Sequence, residues 1–176
     1  MLRSMFADSS DSESEEETDA TAATNTALGP PSTLPSPSPV STVMDVAVVQ
    51  DPSAGISSKL WPAATHLSSY LLRTSPSPSP PPRIIELGAG VGLTGIKMSK
   101  SWGSHVILTD LPSALPLLQS NIDANPSAAV SCAALAWGTD DYSSVIAKCS
   151  SFFPPSPTSA DPFDLIIAAD CVYWEE

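Results

Sequence analysis

The chain has 176 residues, a net charge of −12 and three scattered cysteines, Cys132, Cys149 and Cys171; that length suggests one domain, and the cysteines form neither a disulfide framework nor a metal site. No basic run is present to hold a phosphate backbone, so nucleic acid is not expected as a partner, while single-nucleotide chemistry stays open. No apolar stretch approaches the ~18 residues of a membrane span, so the expectation is a soluble monomer in a reducing compartment, cytoplasmic or nuclear.

The charge is uneven. Asp8, Asp11, Glu13, Glu15, Glu16, Glu17 and Asp19 face only Arg3 in the first 19 residues, and residues 30–39 are rich in Ser and Pro. Residues 1–42 therefore read as a disordered, solvated tail. Its serines followed by acids also match acidophilic kinase sites. Residues 43–176 read as the folded domain.

That domain opens with a β-prone run at residues 43–50, closed by the turn sequence Asp51-Pro52-Ser53-Ala54-Gly55. Residues 60–72 carry Leu60, Trp61, Ala64, Leu67, Leu71 and Leu72 at helical spacing, with Pro62 suited to the first turn. Two Ser/Pro-rich insertions, at 74–82 and 153–162, read as loops. Between them strands and helices alternate. Strands are expected at 83–87, 105–109, 130–136 and 163–169, and helices at 92–101, 112–124 and 142–149. Near-continuous apolar strands in such an alternation predict an α/β fold with a parallel sheet covered on both faces.

The first chemical signal is Ile85-Glu86-Leu87-Gly88-Ala89-Gly90-Val91-Gly92-Leu93-Thr94-Gly95. Glycines that leave a strand and open a helix let backbone turn tightly and approach a ligand. Gly90, Gly92 and Gly95 also satisfy the dinucleotide pattern, and a purely structural turn is the third possibility. Glu86 argues against a dinucleotide, because a pyrophosphate would meet a carboxylate across a few ångströms. S-adenosylmethionine has no phosphate, and its ammonium suits that carboxylate.

Asp110 ends the next strand, about 20 residues after the loop, where a carboxylate meets ribose hydroxyls in such folds; a helix cap is the competing role. Trp137 follows the strand ending at Ala136 and could flank an adenine, or pack in the core. Asp170, after residues 163–169, would face the reacting centre, and Tyr173 would follow within a turn. There a carboxylate can orient an incoming ammonium and a tyrosine can bound its pocket by cation–π contact. For Asp170 a helix cap is again the alternative.

Leu60-Trp61-Pro62-Ala63-Ala64, the glycine segment, Thr109-Asp110, Leu135-Ala136-Trp137-Gly138 and the run from Asp164 to Tyr173 occur in one order. Together, over residues 43–176, they resemble the family 16 class I methyltransferases, protein-lysine methyltransferases of the methyltransferase-like 21 type. The resemblance implies a Rossmann-like sheet of seven strands, S-adenosylmethionine as cofactor, and a protein substrate of chaperone or translation type. It implies that Trp61, Gly88, Ala89, Gly90, Asp110, Trp137 and Ala169 contact the cofactor, with Glu86 added from the residue chemistry. Asp170 and Tyr173 match the family's Asp-x-x-Tyr motif for substrate lysine. Members of that family continue with a helix and about three more strands, so this chain is expected to be a C-terminally truncated domain. The strand at 163–169 would then stand at a sheet edge.

Overall fold

A computed structural model describes residues 40–155 and 162–172. Most of the expected acidic tail, the middle of the second insertion and Tyr173 lie outside the described residues.

The chain enters through a β-hairpin, β1 (Ser41–Val43) and β2 (Val46–Val48), paired antiparallel. Met44 and Asp45 form its two-residue turn with φ of 51° and 63°, the left-handed pair that matches strand twist in tight hairpins. The single β-prone run expected at 43–50 is thus broken in its middle. Val46 and Val48 are fully buried. The outer edge of β2 pairs with side chains instead of a strand. Asn125 Oδ1 accepts from Ala47 N (3.0 Å) and Asn121 Oδ1 from Val49 N (2.7 Å). Asn125 and Asn121 return bonds to the carbonyls of Ala47 and Val49, so an edge that would otherwise be open is satisfied.

Two short 3-10 turns, Pro52–Ala54 and Ile56–Ser58, lead to α1 (Pro62–Thr74). Proline at its first position has no N–H to leave unpaired. The repeating unit then begins: β3 (Ile84–Leu87), α2 (Leu93–Trp102), β4 (Val106–Asp110), α3 (Leu115–Asp123), β5 (Val130–Ala134), α4 (Tyr142–Phe152) and β6 (Leu165–Ala168). Helix α3 is preceded by a 3-10 turn, Pro112–Ala114, so the helix expected at 112–124 starts as a tighter coil. Helix α4 runs three residues beyond its expected end.

The four strands β3 to β6 form one parallel sheet in the order β5-β4-β3-β6. Alternation along each strand sends its side chains to two layers. On one face Ile84, Val106, Leu108 and Ile167 join Leu93, Ile96 and Met98 of α2 and Leu118 of α3. On the other, Ile85 and Ile107 pack with Val145 and Cys149 of α4 and with Phe153. Fully burying such side chains contributes roughly 1.5–3 kcal/mol each, which makes the α2–β3–β4 junction the centre of the core.

Strand β6 is held at its start by a fork. Arg83 donates from Nε and Nη2 to the Asp164 carboxylate, each at 2.9 Å, and its backbone N–H donates to the same group at 2.8 Å. The guanidinium holds the Asp164 carboxyl below its ordinary range. Among the described residues only β3 pairs with β6, and Ile166 is 61% exposed on the face that α4 leaves open.

Successive strands run outward from β3 through β4 to β5, and β6 returns to the other side of β3. The order therefore reverses between β3 and β6. Open parallel sheets leave a crevice at the carboxyl ends of strands at such a point.

Candidate cofactor and acceptor cleft

A cleft of about 230 Å³ occupies that crevice. Its lining includes nine of the residues singled out from sequence: Trp61, Glu86, Gly88, Ala89, Gly90, Asp110, Trp137, Ala169 and Asp170. They come from the ends of β3, β4, β5 and β6 and from the start of α1. Tyr173, the tenth, lies outside the described residues.

The glycine loop follows β3. Gly88 and Gly90 have φ of 59° and 55°, in the left-handed region that costs side-chain-bearing residues most. Space is as restrictive as angle. A Cβ on Gly88 would lie 2.5 Å from Cys171 Cβ, and one on Gly90 would lie 3.2 Å from Ser57 O. Gly92 and Gly95 serve packing instead. A Cβ on Gly95 would run into the side chains of Leu108, Glu86 and Val106 as α2 lies down on the sheet.

The loop's donors are largely spent inside the protein. Ala89 N–H donates to Thr109 O at 2.9 Å, and Gly92 N–H to Ala89 O at 2.8 Å. Gly90 N–H donates to Asp110 Oδ2 at 2.7 Å, and Gly95 N–H to Glu86 Oε2 at 2.8 Å. A phosphate-cradling loop presents such amides to its ligand. Here two of them are already taken by side-chain carboxyl groups, which disfavours the dinucleotide alternative and fits a ligand without phosphate.

Glu86 has two surroundings at once. Its carboxyl lines the cleft, yet the residue is only 2% exposed and caps the first turn of α2. Burial pushes its pKa up to about 8, against the lowering effect of the Gly95 and Thr94 hydrogen bonds, and the nearby Asp110 carboxylate adds to the rise. Capping was not legible, because the acid stands nine residues before the amide it holds.

Asp110 accepts from Gly90 N–H with one oxygen and from Leu111 N–H with the other, at 2.7 Å each. It caps neither the following 3-10 turn nor α3, so the helix-cap alternative is not what the structure adopts. Each oxygen keeps a further acceptor site for a hydroxyl. Trp137 is 52% exposed at the cleft's rim, which disposes of its core-packing alternative. Trp61 donates its Nε1–H to Ile56 O at 3.0 Å, fixing its indole at the opposite rim. Asp170 is exposed with φ of 55°, a conformation that aspartate tolerates better than most residues.

Four lining residues had no motif to announce them, Ile56, Ser57, Lys59 and Leu111, and two more, Leu135 and Cys171, lay within motifs without being given a role. The first three belong to the segment after the Asp51 turn, which gave only a loop signal. Cys171 is half-buried; burial pushes its thiol up, and Glu86, Asp110 and Asp170 push in the same direction. Among the described residues, no group of three or more His, Cys, Asp or Glu could hold a metal ion. No helix there is long and apolar enough to cross a membrane.

The parallel sheet, the glycine loop with its amides spent and the carboxylate at the switch point fit the Rossmann-like methyltransferase class of α/β proteins. The family model for lysine methyltransferases matches residues 42–176, and the chain belongs to that family. It is similar to EEF1A lysine methyltransferase 3 of Mus musculus, 34% identical over 123 residues that cover 69% of this chain and 46% of that protein. It is likewise similar to protein N-lysine methyltransferase METTL21A of Mus musculus, 35% identical over 134 residues, covering 69% and 50%. Protein-lysine N-methyltransferase EFM6 of Saccharomyces cerevisiae is 30% identical over 141 residues, covering 70% and 54%. The chain thus spans about half the length of these curated relatives.

Proposed function

We propose that the cleft binds S-adenosylmethionine and that the protein transfers its methyl group to a lysine side chain of a protein. The observation that carries the cofactor reading is the glycine loop's spent amides beside the carboxylates of Asp110 and Asp170 and the protonated carboxyl of Glu86. Such a lining suits a cationic adenosine derivative and repels a phosphorylated one.

In this reading Asp110 accepts from the ribose hydroxyls while its Gly90 bond keeps the loop closed on them. Trp137, Leu111 and Leu135 form an apolar surface for adenine, with Ala169 on the β6 side. Gly88 and Ala89 let the cofactor's chain pass close to backbone, Trp61 closes the α1 side, and Glu86 faces the ammonium. S-adenosylmethionine supplies an electrophilic methyl on a sulfonium. The protein's task is then to align an amine in line with that bond, a matter of positioning. Asp170, exposed at the mouth, draws in and orients the substrate ammonium, which gives its proton to solvent before the neutral amine takes the methyl and S-adenosylhomocysteine leaves; Tyr173 is assigned to the acceptor by the Asp-x-x-Tyr motif alone. Membership of the lysine methyltransferase family and similarity to the three lysine methyltransferases above support the acceptor.

Calorimetric titration of S-adenosylmethionine into the chain and into Asp110→Ala tests the cofactor reading. Saturable binding that weakens by about tenfold or more in the variant, a loss of roughly 1.4 kcal/mol, is expected. Absent binding, or identical binding by both proteins, overturns it. Labelled cofactor incubated with cell extract, followed by analysis for methyl-lysine, tests the acceptor; label on another group overturns that half.

A further inference from the structure

The charged lining of the cleft is lopsided. Three carboxyl groups reach it, and among the described lining residues Lys59 is the single cation. The chain holds seven Lys and Arg residues. Those described elsewhere are engaged away from the cleft. Arg83 pairs with Asp164, and Lys97 and Lys100 hold the hairpin turn at Asp45. Lys148 donates to Cys132 O, and Arg73 lies beside Tyr70. Lys59 makes no ion pair with a described residue. Its Nζ lies 4.6 Å from the centroid of the Trp61 ring, and that indole is itself tied to Ile56 O. The backbone around it is fixed as well, with Leu60 N–H donating to Gln50 Oε1 at 2.7 Å. A cation over an indole keeps its charge and its outward donors, so Lys59 is both restrained and available.

S-adenosylmethionine carries an α-carboxylate beside its ammonium. That anion would enter a cleft lined by the Asp110 and Asp170 carboxylates, with the buried Glu86 carboxyl protonated, and the loop amides that could have received it are largely spent within the protein. Repulsion has to be offset by a side-chain cation. Resting on the cofactor reading above, we propose that Lys59, held on the face of Trp61, receives the α-carboxylate of S-adenosylmethionine and so selects the intact amino-acid end of the cofactor.

The test compares S-adenosylmethionine with decarboxylated S-adenosylmethionine, which keeps the adenosine, the sulfonium and the ammonium. Both are titrated calorimetrically into the full chain, Lys59→Gln and Lys59→Arg. The parent should prefer the intact cofactor. Lys59→Gln should bind it about tenfold more weakly while binding the decarboxylated form within about twofold of the parent, and Lys59→Arg should restore most of the preference. Retained binding of the decarboxylated form shows that the Gln variant is folded. Equal loss for both ligands would mean that Lys59 only orders Trp61, and would overturn the proposal, as would no loss for either. Failure of the parent to bind either ligand would instead overturn the cofactor reading, and this proposal with it.

Discussion

The two walls of the cleft are built differently. The β3–β4 wall is locked from within: Asp110 holds Gly90, Glu86 holds Gly95, and Thr109 donates to Glu86 O at 2.7 Å. The β6 wall has one fully enclosed strand residue, Ile167, and one strong anchor, the Arg83–Asp164 fork. Asp170 stands exposed beyond it. Under the proposed function, the β3–β4 wall would hold a cofactor in one pose, which needs a rigid loop. The β6 wall would, under the same proposal, admit a side chain from another protein, which needs reachable groups, and it has fewer contacts to keep them in place.

That contrast can be broken by substitution. The largest effect is expected from Gly95→Val, whose new atoms would meet Leu108, Val106 and the Glu86 carboxyl together. A loss of about 3 kcal/mol or more by urea denaturation is expected, and a neutral result would mean that α2 is not seated as described. On the β6 wall, Ile167→Ala should cost about 3 kcal/mol.

Glu86→Gln sharpens the electrostatic part. In the folded chain Glu86 keeps its proton up to about pH 8, whereas the ordinary value is 4.5. Between these values the folded state binds more protons than the unfolded one. The stability that this carboxyl contributes is therefore complete below pH 4.5 and is lost as pH rises through about 8. Melting curves from pH 5 to pH 9 should show the variant gaining on the parent as pH rises; a constant difference would contradict the burial of this carboxyl.

Smaller effects belong to β6. Asp164→Ala removes an anchor that is partly open to water, and a loss of about 1 kcal/mol is expected. Because Arg83 depresses the Asp164 carboxyl, the parent's advantage should be present near neutral pH and fade as pH falls through the depressed value, below 3.8. Ile166→Thr should change stability by less than about 0.5 kcal/mol, although it sits next to Ile167. A large loss there would show that something covers the face of β6 in solution.

Most of the sheet could be read in the sequence, because each buried strand is a continuous apolar run and each helix has its own period. The glycine segment and Asp110 were legible for a similar reason: the chemistry sits at fixed offsets from strand ends. What escaped notice depends on contacts between distant segments. Met44 has no turn propensity, and a lone Asp45 inside a β-prone run is a weak hairpin signal. Lys59 and Ser57 lie in a stretch with only turn chemistry, and they reach the cleft because α1 is packed against α2. The double duty of Glu86 appears only once the helix it caps is laid across the sheet.

Asn121 bonds Val49 through both ends of its amide and donates to Val91 O at 2.9 Å. Fully buried, it joins the hairpin, α3 and the glycine loop through one side chain. Amide hydrogens at Ala47 and Val49 should therefore exchange with solvent no faster than those of α3, despite belonging to a two-stranded hairpin outside the main sheet. The hairpin, α3 and the loop would open to solvent together, as one cooperative unit. Under the proposed function, cofactor bound at the loop would then slow exchange in the hairpin, a segment that does not line the cleft.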